Sequence, residues 1–73
     1  MKELLTLLSE ASESQIDPVV SLRLKTLAEN PTAAGMKSIL DDCARFSLAS
    51  DFAMAAMHLA WMALIKDEAA QAK

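Results

Sequence analysis

The chain has 73 residues, 53% of them hydrophobic and 23% charged, with one Gly and two Pro. Such a length admits one domain, residues 1–73, small for a self-sufficient enzyme; the composition is too apolar for disorder and too poor in turn formers for an all-β fold. The net charge of −3 argues against a nucleic-acid or anionic-membrane partner, since both select clustered Lys and Arg.

The N-terminal stretch Met1–Glu10 carries Leu4, Leu5, Leu7 and Leu8 among its charges. It lacks the continuous apolar core of a signal peptide, so a cytoplasmic location is the expectation. A first helix is predicted from about Lys2 to Ala11, weakening at Ser12-Glu13-Ser14-Gln15, where serines compete for backbone hydrogen bonds. Asp17-Pro18 and Asn30-Pro31 each place a side-chain acceptor before a Pro, the pattern of a helix start. A second helix is therefore predicted from about Pro18 to Glu29, with Val20, Leu24, Leu27 and Ala28 on one face and Val19 and Leu22 widening it.

From Pro31 onward there is no further Pro, and the sole Gly is Gly35. With Met36 as heptad position a, Met36, Cys43, Ser50, Met57 and Leu64 fall at a. Ile39, Phe46, Ala53, Ala60 and Asp67 fall at d. The seam runs without a phase jump and predicts one long helix over about 32–69. A break at Ser47–Asp51, capped by Ser50 or Asp51, is the competing reading. The expected fold is all-α: a helical hairpin whose short N-terminal arm, of one or two helices, packs on a long C-terminal helix.

Phe52 through Ile65 carries no charge and a single polar side chain, His58. The segment is shorter than the ~20 residues that span a bilayer, so membrane insertion is not expected. A helix apolar all round demands cover from protein, and one covering arm leaves its far side open. Several bulky side chains there represent roughly 5–10 kcal/mol of unused hydrophobic driving force. Phe46, Phe52, Met54, Met57, Leu59, Trp61, Met62 and Ile65 are the expected partner-binding residues. Adaptable Met and the anchoring tendency of Trp strengthen that reading.

Other features point to no chemistry. One Cys and one His build neither a disulfide framework nor a metal cage, and Cys43 has no base to activate it. Asp41 and Asp42 diverge by ~100° on a helix and are expected on the solvated face, with Arg45 pairing to one of them. No Gly-x-Ser-x-Gly turn is present. The expectation is a chain with no catalytic residue, cofactor or metal, and so not an enzyme.

Lys25-Thr-Leu-Ala-Glu-Asn-Pro-Thr32, followed by Arg45-Phe-Ser-Leu48, resembles the needle subunits of bacterial type III secretion. The run from Leu48 to Trp61, with its His58-Leu59 pair, is similar to the smaller co-chaperone of that subunit. Coverage is about residues 20–62. The needle resemblance implies an apolar C-terminal end, whereas this chain closes on the polar Lys66–Lys73, which favours the co-chaperone branch. That resemblance implies a cytosolic binder that, with a larger helical-repeat chaperone, keeps the needle subunit soluble. Phe46, Asp51-Phe52 and Ala55 also resemble one tetratricopeptide-type hairpin, but a single unit forms no array. The alternatives are a homodimeric helical regulator or inhibitor, two hairpins burying the 52–65 face as a four-helix bundle, and a needle-like structural subunit.

Overall fold

The computed structural model describes residues 1–72 and is all-helical, with α1 at Lys2–Ser9, α2 at Pro18–Glu29, α3 at Ala33–Phe46 and α4 at Asp51–Gln71. Lys73, the last residue of the polar tail, lies outside the described residues. Asp17 caps α2 by accepting a hydrogen bond from the Val19 amide at 2.9 Å, with Pro18 in the first turn. At the next helix start the cap is Thr32, not Asn30. The Thr32 hydroxyl accepts from the Gly35 amide at 3.0 Å, while Asn30 closes α2. Pro31 stands two positions before Ala33, the first residue of a helix whose cap is Thr32.

The expected long helix is two helices. Helix α3 closes through its backbone: Ser47 adopts the left-handed conformation (φ 54°, ψ 50°), its amide bonding back to the Cys43 carbonyl. Ser50 then caps α4, accepting from the Ala53 amide at 3.1 Å. The heptad phase ran through this break because the two arms of a hairpin show each other the same kind of seam. Met36, Ile39 and Cys43 on α3 face Ala53, Met57, Ala60 and Leu64 on α4, and all seven are buried. Phe46, the last residue of α3, falls outside the seam and is exposed. Left-handed backbone is strained for a residue with a Cβ and free for Gly. Ser47→Gly is expected to stabilise the chain by about 0.5–1 kcal/mol, read as a rise in urea midpoint; an unchanged or lower midpoint contradicts that account.

Helix α1 packs on α2, α2 on α3, α3 on α4, and α4 touches α1 again. Leu5, Ile16, Val20 and Leu24 join the α3–α4 seam in one core. Gly35 permits the close α2–α3 approach, since a Cβ there would lie 2.6 Å from Leu27 Cδ1 and 2.9 Å from Thr32 Oγ1. Polar links fasten the ends. The loops after α1 and after α3 meet in an antiparallel bridge between Ile16 and Ala49. There the Asp17 amide donates to the Leu48 carbonyl at 2.8 Å and the Ser50 amide to the Gln15 carbonyl at 2.7 Å. At the opposite end, Glu68 of α4 accepts from the Ala33 amide at 2.6 Å, a carboxylate set on the N-terminus of α3 where the helix dipole favours it.

Asp41 and Asp42 find partners other than Arg45. Arg23 reaches from α2 to Asp42 at 2.6 Å, and Lys37 pairs with Asp41 at 2.7 Å one turn away. Arg45 instead stands over the Phe46 ring at 5.9 Å, a position open to it because α3 ends there. Both ion pairs are partly exposed, worth about 1 kcal/mol or less each.

Candidate protein-binding surface

Helix α4 divides its circumference between the fold and the solvent. Ala53, Met57, Ala60 and Leu64 point inward, and Ala53, Met57 and Ala60 are small or flexible enough to let α3 and α1 approach. Phe52, Leu59, Met62 and Ile65 point outward, exposed by 82%, 63%, 45% and 42%. Phe52, Ala55, Leu59 and Met62 are spaced by three and four residues, which lines them up along one side of a helix. The helix thus carries two apolar seams, one closed by its own chain and one open.

Of the residues expected at this surface, Met57 does not belong to it. Its side chain is fully buried in the core, because the heptad position that faces α3 also falls within the apolar run. Met54 and Trp61 occupy the border and pack in part against the core. The Trp61 ring lies 5.3 Å from the His58 ring, and Lys37 Nζ stands 5.8 Å from its centroid, a cation–π contact between α3 and α4. Trp61 is therefore partly committed to joining the two helices. Phe46 is exposed but sits at the far end of α3, off the α4 seam.

A second apolar feature adjoins Phe52. Leu8 of α1, Ala11, Gln15 and Ile16 of the loop after it, and Phe52, Ala53 and Ala56 of α4 line a groove. Leu4 and Leu7 of α1 and Val19 and Leu22 of α2 are also exposed, residues that belong to the sequence's apolar stripes but not to the expected partner-binding set. Their signal was present in the width of each stripe, which exceeds what one neighbouring helix covers.

Among the described residues, no three or more His, Cys, Asp and Glu side chains stand together as a metal site would require, and no helix is long and apolar enough to cross a membrane. Cys43 is buried, and burial pushes its thiol above the usual range; Asp42 and Asp17 add to the rise and Arg23 opposes it. The folded chain thus keeps its thiol proton at pH values where the unfolded chain has released it. Above the ordinary thiol pKa the unfolded state binds fewer protons, so stability falls as pH rises through that region. Alkylation of Cys43 by iodoacetamide is expected to be slow in native buffer and fast in denaturant; equal rates would show an accessible thiolate.

No family model, curated protein or solved structure matches this chain.

Proposed function

We propose that this chain is a non-enzymatic protein-binding module that offers the outer seam of α4 to a helix of a partner protein. The observation that carries the reading is the row Phe52, Leu59, Met62 and Ile65, open to water on a helix whose inner side already closes the core. A solvated helix of a self-contained protein presents polar residues outward; this one presents bulky apolar side chains, the arrangement of a helix-in-groove contact. With the resemblance of Leu48–Trp61 to the needle co-chaperones, the reading becomes a small cytoplasmic co-chaperone of type III secretion. In that role the seam helps a larger helical-repeat chaperone to hold the needle subunit in a soluble form.

Co-expression with a needle subunit and a helical-repeat chaperone encoded beside this chain provides the test. Size-exclusion chromatography with light scattering is expected to show one stable complex containing all three chains. Separate elution of this chain from both partners removes the co-chaperone reading, and filaments grown from the isolated chain replace it with a structural subunit.

A further inference from the structure

The outer seam of α4 is bracketed by charges of opposite sign. Asp51 stands at its start and Lys66 at its end; both are exposed, and neither joins the ion pairs formed among the described residues. Between them run Phe52, Ala55, Leu59 and Met62, with Lys66 next in the same three–four spacing. Two such seams laid parallel bring Asp51 beside Asp51 and Lys66 beside Lys66. Laid antiparallel, each Asp51 comes within reach of the other helix's Lys66, the dipoles of the two helices oppose, and the apolar residues between them meet. The surface is complementary to itself under a two-fold axis crossing α4 midway between Asp51 and Lys66, beside His58 and Leu59, which is the condition for an isologous dimer.

Resting on the reading of this seam as the binding surface, we infer that the free chain covers it with a second copy of itself, α4 against α4, antiparallel. The exposed fractions of Phe52, Leu59, Met62 and Ile65 amount to roughly 400 Å² of apolar surface per copy, taking about 150–200 Å² for a large apolar residue. That is at the low end for a specific interface, so the dimer is reversible, with a dissociation constant in the micromolar range or weaker. Such a dimer shields the seam while no partner is present and gives way to a partner that covers more surface.

Sedimentation equilibrium of the full chain is expected to show a monomer–dimer equilibrium. Asp51→Lys and Lys66→Asp should each weaken it about tenfold, and the double variant should restore it, because the pair is then reversed but still opposite; circular dichroism checks that each variant is folded. For orientation, a nitroxide label at Ala69 in a Cys43→Ala background should give label pairs roughly 30 Å apart along the helix axes for the antiparallel dimer, against about 10 Å for a parallel one. A chain monomeric at about 1 mM, a double variant as weak as the single ones, or closely spaced labels would each overturn the inference. The partner complex is measured separately: a chain that never dimerises yet enters that complex loses this inference and keeps the proposed function, whereas a dimer that no partner displaces does the reverse.

Discussion

Met57→Asp is expected to unfold the chain instead of weakening a docking surface. The Met57 side chain is fully buried between α4 and the rest of the core. Its loss removes roughly 1.5–3 kcal/mol of apolar burial, and a carboxylate left there without a partner costs several kcal/mol more. A domain of this size has only about 4–11 kcal/mol to lose, at about 0.05–0.15 kcal/mol per residue. The variant should show no cooperative thermal transition at neutral pH. Met57→Leu, which conserves volume, should keep one within about 1.5 kcal/mol of the parent. A Met57→Asp protein with native helicity and a normal Tm would show that position 57 faces water.

Leu59→Asp should do the opposite. Leu59 is 63% exposed, so the charge meets solvent and stability should move by no more than about 0.5 kcal/mol. Any association through the outer seam, with a partner or with a second copy, should weaken by about thirtyfold or more, the effect of a ~2 kcal/mol interface residue. Lys25→Ala on α2 serves as the comparison and should leave binding within about twofold, as most surface residues outside an interface do. Titration calorimetry or sedimentation reads the difference; equal losses from Leu59→Asp and Lys25→Ala place the binding surface elsewhere.

The two variants lie two residues apart and differ in sign because α4 is apolar on both sides, and that is also where the sequence was hardest to read. Periodicity located the inner seam: Met36, Ile39, Cys43, Ala53, Met57, Ala60 and Leu64 are all buried as their spacing implied. The run 52–65 is apolar on the opposite side as well, and an expectation drawn from the whole run puts Met57 with Phe52 and Leu59, although its heptad position assigns it to the inner seam. A helical face is fixed by its neighbours, and here α3 and α1 decide it. The break between α3 and α4 was obscured for another reason. A turn in left-handed backbone advertises itself through Gly or Asn, and this one uses Ser47. Ser50, by contrast, is a plain N-cap residue, and its role was legible as the competing reading. The Arg23–Asp42 pair joins residues far apart in the chain, and only the packing of α2 on α3 reveals it.

The bridge between Ile16 and Ala49 has a dynamic consequence. It fastens the loops of both hairpins at one end, where four residues exchange backbone hydrogen bonds. At the other end the Asn30–Thr32 turn joins α2 to α3, Glu68 ties α4 to the start of α3, and beyond it α4 runs on through exposed residues to Gln71. Of the amides at the two ends, those of Asp17 and Ser50 should therefore exchange more slowly than those at the close of α4, so that the molecule breathes like a clothes-peg sprung at its loops.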